Sequence, residues 1–135
     1  MEAKSGAYWN RQSSQVKLKL KRVKEAPSEE DGTRVLVDRL WPRGLTKEKA
    51  RIHLWFKEVA PSSNLRKWFA HDPARWPEFK ARYKAELNRP HPQLTLLRQV
   101  ITRGTTTLLY GTRNTKHNSA VVLQELLMPL KYPLA

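Results

Sequence analysis

The sequence predicts a small α/β domain, with a mainly parallel sheet of three or four strands flanked by helices. Three observations carry this. Val16 to Val23 alternates apolar and basic residues with a period of two, the mark of a strand with one wet face. Thr33 to Asp38 is more continuously apolar, as a central strand is, and Thr105 to Tyr110 reads as a third strand. The helical block between Asp38 and Thr105 is long enough for a crossover, which makes the second and third strands parallel.

The helices follow from caps and apolar spacing. Thr46 caps a short turn at Lys47-Glu48-Lys49, and Ile52, Leu54 and Trp55 are the next apolar anchors. Pro61-Ser62-Ser63 opens a helix whose Leu65, Trp68 and Phe69 fall at i, i+3 and i+4. Asp72 before Pro73 pairs a good N-cap with a good first helical residue. From Pro77 a longer helix carries Trp76, Phe79, Tyr83 and Leu87 as one stripe, until Asn88 to Pro92 breaks it. Leu94, Leu97, Val100 and Ile101 form another stripe closed by Gly104, and Asn118 to Met128 is the last helix. Residues 1–15 read as a flexible polar tail, 16–128 as the domain and 129–135 as a C-terminal tail.

A chain of 135 residues suits one compact domain that folds without a disulfide or a metal. Cys 0 excludes disulfides, cysteine-ligated zinc and a cysteine nucleophile. No apolar run approaches the ~20 residues of a membrane-spanning helix, and the amino terminus lacks the apolar core of a signal peptide. The expectation is a cytoplasmic protein with no membrane contact. A net charge of +14 attracts polyanions and small anions, so the expected partner is a small anionic ligand or nucleic acid.

In open parallel sheets, ligands bind beyond the carboxyl ends of the strands. Two such ends are visible, Asp38 to Gly44 and Tyr110 to Asn118, and they open on the same edge if their strands are neighbours. Arg39, Arg43 and Arg113 are candidates to hold an anion, since a guanidinium can grip phosphate or carboxylate with two bonds. Asn118 and His71 are further ligand-binding candidates. Asp38, Tyr110 and His117 are the candidate catalytic groups, for positioning and proton transfer. Duller roles compete at each position. Asp38 can pair with Arg39 or Arg43 to orient the turn, Trp41 and Tyr110 can serve as core, and Asn118 can bond backbone. His71-Asp72 can be a cap with an exposed imidazole, and His117 can sit at a helix start. The four histidines lack metal-ligand spacing and no GxxxxGK[ST] loop is present, so no metal and no cofactor is expected.

The blocks RVLVDRLWPRGLTKEKA, WFKEVAPSSNLRKWFAHDPARWPEFKARYKAEL and TLLYGTRNTKHNSAVVLQELL resemble the YeaO-like family of bacterial proteins, domain of unknown function 488. The resemblance runs from about Val16 to Leu127 and implies a small α/β domain of the bacterial cytoplasm without an assigned activity. Its motif positions include Asp38, Arg39, Trp41, Arg43, Arg66, Trp68, His71, Tyr110, His117 and Asn118. His53 and Asn114 stand where members often carry an acid, and a Cys-His run of wider relatives near His117-Asn118 is lacking. The function expected is binding of a small anionic or phosphorylated ligand at the sheet's carboxyl edge, with acid/base catalysis an open question. The alternative is non-specific nucleic-acid binding through the basic surface.

Overall fold

In the computed structural model, which describes residues 17–128, four strands form one all-parallel sheet. They are β1 (Leu18–Arg22), β2 (Thr33–Leu36), β3 (Leu54–Trp55) and β4 (Thr106–Tyr110), in the spatial order β1-β4-β2-β3. The two tails expected at 1–15 and 129–135 lie outside the described residues. Five α-helices accompany the sheet: α1 (Lys47–Ala50), α2 (Ser63–Phe69), α3 (Trp76–Leu87), α4 (Pro92–Thr102) and α5 (Ser119–Leu127). The expected α/β class is therefore observed.

The central pair is in register from Thr33↔Thr106 to Leu36↔Leu109, and Val37 extends the ladder by donating its N–H to the Leu109 carbonyl at 3.2 Å. Alternation then sorts the side chains onto two faces. Val35, Val37, Leu108 and Tyr110 join the larger core, with Phe69, Phe79, Tyr83, Leu97 and Leu123 from the helices. Leu36 and Leu109 point the other way, into a smaller core with Val23, Ala50, Ile52 and the partly buried Trp41 and Trp55. Trp41 and Trp55 meet edge to face at 5.3 Å, and their indole N–H groups donate to the Leu45 and Asp38 carbonyls. The Trp-Pro-Arg-Gly turn thus closes one face of the sheet, and Trp41 packs as core.

Caps end the elements where side chains can bond the free backbone groups. Thr46 and Ser62 accept from Lys49 N–H and Leu65 N–H, at 3.1 Å each. His91 caps α4 by accepting Leu94 N–H on Nδ1 at 3.3 Å, an uncommon use of imidazole. Gly32 is required by its surroundings: its φ is +65°, and a Cβ there would lie 2.0 Å from the Thr105 carbonyl oxygen. That close approach allows Thr33 N–H to reach the same oxygen at 3.0 Å and start the central pairing.

The smaller face conceals a charged cluster. Arg34 is 2% exposed, and its guanidinium meets Asp31 Oδ2 at 2.6 Å while donating to the Ala50 and Arg51 carbonyls at 2.8 to 3.2 Å. Asp31 also receives Lys21 Nζ at 3.1 Å and Ser28 N–H at 3.0 Å. Burial alone would push the Asp31 carboxyl up, but Ser28, Lys21 and Arg34 together hold it below the ordinary carboxylate range. Arg34 is thereby bonded through every side-chain nitrogen and ties β2 to the end of α1.

Candidate functional site

The order β1-β4-β2-β3 sends the chain in opposite directions from β2 and β4. After β2 it proceeds outward to β3; after β4 it turns back to α5, which packs on β1, β4 and α3. The gap between the ends of two such strands is the position where open α/β sheets form a crevice. A cavity of about 280 Å³ lies there, between the segments that follow β2 and β4 and the helices α2, α3 and α5.

Asp38 joins the two strand ends. Its Oδ2 accepts the Gly111 N–H at 2.8 Å, and a Cβ at position 111 would stand 3.1 Å from that oxygen. Glycine is what permits the contact. Asp38 makes this bond in place of an ion pair with Arg39 or Arg43. Burial pushes its carboxyl up to about 6, against the Gly111 N–H and the positive charge of Arg66, which both favour the carboxylate.

Arg39 lines the cavity with its guanidinium fixed from behind, donating to the Pro61 and Ala60 carbonyls at 3.3 and 3.2 Å and lying 3.6 Å from Glu58. Arg66, on α2, also lines the cavity; its guanidinium has no hydrogen-bond or ion-pair partner among the described residues. His117 lies beside Trp76, ring centroids 5.0 Å apart, and its backbone N–H donates to Asn114 Oδ1 at 2.8 Å. His71 stands exposed at the mouth, tilted against Phe69 at 6.2 Å. Asn118 is buried as the N-cap of α5, accepting Val121 N–H at 3.0 Å and donating to the Asn114 carbonyl at 2.8 Å. Replacing Asn118 with alanine is expected to lower stability by about 1 kcal/mol in urea titrations, since it removes a cap and a loop bond together.

Of the residues singled out in the sequence, the fold brings Asp38, Arg39, His71, His117 and Asn118 to this cavity. Tyr110, Arg43 and Arg113 do not line it. Tyr110 is 5% exposed in the larger core, where burial and the nearby Glu25 raise its phenol above the ordinary value, Arg22 opposing. Arg43 and Arg113 are exposed on their turns. Sequence reasoning passed over Arg66 as a site residue, although it stands in the Pro-Ser-Ser-Asn-Leu-Arg-Lys-Trp-Phe block. Among the described residues, no group of three His, Asp or Glu side chains is placed to hold a metal ion.

His53 and Asn114 prove to have parallel jobs. His53 Nδ1 accepts the Arg34 backbone N–H at 2.9 Å, and Asn114 Oδ1 accepts the N–H groups of Lys116 and His117. Each is an acceptor for backbone, a task a carboxylate performs equally well.

Comparison with known proteins agrees with the sequence resemblance. The family model described as the inactive DUF488-N3 subclade matches residues 17–131. The uncharacterized protein Rv3073c of Mycobacterium tuberculosis (strain ATCC 25618 / H37Rv) is 41% identical over 113 residues, covering 84% of this chain and 95% of that protein. The uncharacterized protein YeaO of Escherichia coli (strain K12) is 37% identical over 115 residues, covering 85% of this chain and 100% of that protein. No solved structure matches. On a family match that spans the whole sheet and relatives that align almost end to end, the chain belongs to the YeaO-like DUF488 family, in its inactive DUF488-N3 subclade.

Proposed function

We propose that the protein binds a small anionic ligand, such as a phosphorylated cytoplasmic metabolite, in the cavity between the ends of β2 and β4, and does not turn it over. The observation that carries this reading is the convergence of Arg39 and Arg66 on one concavity, with the Arg66 guanidinium unpartnered among the described residues. Guanidinium groups suit phosphate and carboxylate because two parallel N–H bonds match two oxygens. Binding without turnover is supported by the description of the matching subclade as inactive, and Cys 0 excludes a thiol nucleophile in this chain. In this reading Asp38 positions the two strand-end segments, and His117 lends a donor to the ligand.

Isothermal titration with a panel of phosphorylated and carboxylated metabolites tests the proposal. At least one is expected to bind, and Arg66→Ala to weaken it by roughly tenfold or more, as loss of a charge-assisted bond does. Unchanged affinity in Arg66→Ala would sink the reading. The second reading, non-specific nucleic-acid contact, draws on the net charge of +14. It is weakened on α3, where Lys80 and Lys84 face Glu125 and Arg82 pairs with Glu78. Oligonucleotide affinity that falls steeply with salt and ignores Arg66→Ala would favour it instead.

A further inference from the structure

Several of the cavity's donors are already committed to the protein itself. The Gly111 N–H is taken by Asp38, and Asn118 uses both ends of its amide on backbone. Arg39 commits Nε and Nη2 to carbonyls. Arg66 is left as the main charged anion contact, beside the Thr112 and Ser119 hydroxyls and the two imidazoles, with the Asp38 carboxylate facing the same space. A bare phosphate or sulfate finds one unpartnered guanidinium there and is opposed by the Asp38 carboxylate. Affinity must come from the rest of the wall.

Part of that wall carries rings. Phe69, His71, Phe79 and His117 all line the cavity. Phe69 and Phe79 stack at 4.4 Å, and Trp76 backs the group, 5.8 Å from Phe69 and 5.0 Å from His117. Two further features concern the mouth. Leu40 lines it while remaining 63% exposed, an apolar side chain the core does not use. The chain reaches His71 through two successive left-handed residues, Ala70 at φ +46° and His71 at φ +56°. Ala70 takes this conformation as the C-cap of α2, its N–H donating to the Arg66 carbonyl, and His71 follows it in the same region. Here it sets the imidazole against Phe69 at the rim.

We propose that the ligand is a phosphate monoester of a planar aromatic or heteroaromatic body, its ring held among Phe69, His71, His117 and Leu40 and its anionic group at Arg66. The inference rests on the anion-binding reading and narrows it to a ligand class. Rings stack face to offset face or edge to face with aromatic side chains, and each such contact adds to the apolar contribution. Free nucleotides and simple aryl phosphates share this chemistry, so the test carries both.

The experiment is isothermal titration of the whole chain with inorganic phosphate, phenyl phosphate, cyclohexyl phosphate and adenosine monophosphate. Phenyl phosphate is expected to bind roughly tenfold or more tightly than inorganic phosphate, and several-fold more tightly than cyclohexyl phosphate. A further gain with adenosine monophosphate assigns the site to nucleotides; tighter binding of phenyl phosphate assigns it to smaller aryl esters. In His71→Asn, which tolerates the left-handed backbone but lacks the ring, the ratio of phenyl to inorganic phosphate affinity is expected to fall several-fold. Equal affinity for phenyl and inorganic phosphate overturns the aromatic body and leaves the anion site standing. Equal affinity for cyclohexyl and phenyl phosphate overturns ring stacking in favour of a merely apolar body. If none of the four binds, the aromatic phosphate ester is overturned, and the anion site is decided by the wider panel of carboxylated and phosphorylated metabolites.

Discussion

Arg34→Ala is expected to destabilise the fold by about 3–5 kcal/mol, the range for removing one partner from a buried ion pair. The guanidinium meets Asp31 at 2.6 Å and donates to the Ala50 and Arg51 carbonyls. Truncation leaves Asp31, itself 2% exposed, with Lys21 as its one remaining cation among the described residues, and leaves carbonyls at the end of α1 without donors. The Ala50 contact also locks β2 to the short α1, so the smaller core around Leu36, Ile52 and Trp55 loosens with it. Urea titration reads the effect as a lower midpoint. A loss below about 1 kcal/mol would mean the cluster is not sealed from water. Asp31 adds a pH signature. Its carboxyl is held below the ordinary range in the folded state, so its stabilising contribution is present above that range and is lost as pH falls through the depressed value. In Asp31→Asn, the acid-side decline of stability is expected to become shallower than in the wild type.

Asp38→Asn is expected to stabilise the protein at neutral pH. The folded-state carboxyl is pushed from 3.8 up to about 6, chiefly by burial. A group raised in the folded state contributes fully below its unfolded value, and that contribution is lost as pH rises through the folded value. Between about pH 4 and pH 6 the wild type therefore loses ground, by at most about 3 kcal/mol, since a tenfold change in proton affinity is worth about 1.4 kcal/mol. Asparagine keeps an oxygen to accept the Gly111 N–H but carries no charge to desolvate. The stability difference between variant and wild type is expected to grow in favour of asparagine across that window and to level off above it. Chemical denaturation at several pH values between about 4 and 8 measures it, and a difference independent of pH would contradict the assignment. The same charge opposes a bound dianion, so Asp38→Asn is expected to tighten ligand binding above about pH 6, where the wild-type carboxyl is ionised.

Much of the framework was legible because each piece rests on local periodicity or on a cap. Trp76, Phe79, Tyr83 and Leu87 describe α3 without reference to the rest of the chain, and Asn118 marks the start of α5 by the side-chain bond it can form. By contrast β3 is only Leu54-Trp55, too short to display a period, and is a strand because Val35 and Leu36 lie beside it. The Arg34 cluster was hidden for another reason. An arginine in a strand reads as a solvent-facing residue until Asp31 and the α1 carbonyls are known to cover it.

The site divides along the same line. Local patterning sufficed for the sheet's longer strands, the caps at Thr46, Ser62 and Asp72, the absence of a thiol, and the two strand ends from which Asp38, Arg39, His117 and Asn118 project. Which side chains converge was settled by packing. It brought in Arg66 from a helix distant in sequence, enclosed the cavity with Phe69 and Phe79, and left Arg43 and Arg113 on exposed turns. The physical reason is that strand and helix periods are properties of neighbouring residues. The direction of a loop arginine, and the burial that raises Asp38, depend on packing between elements far apart in the chain.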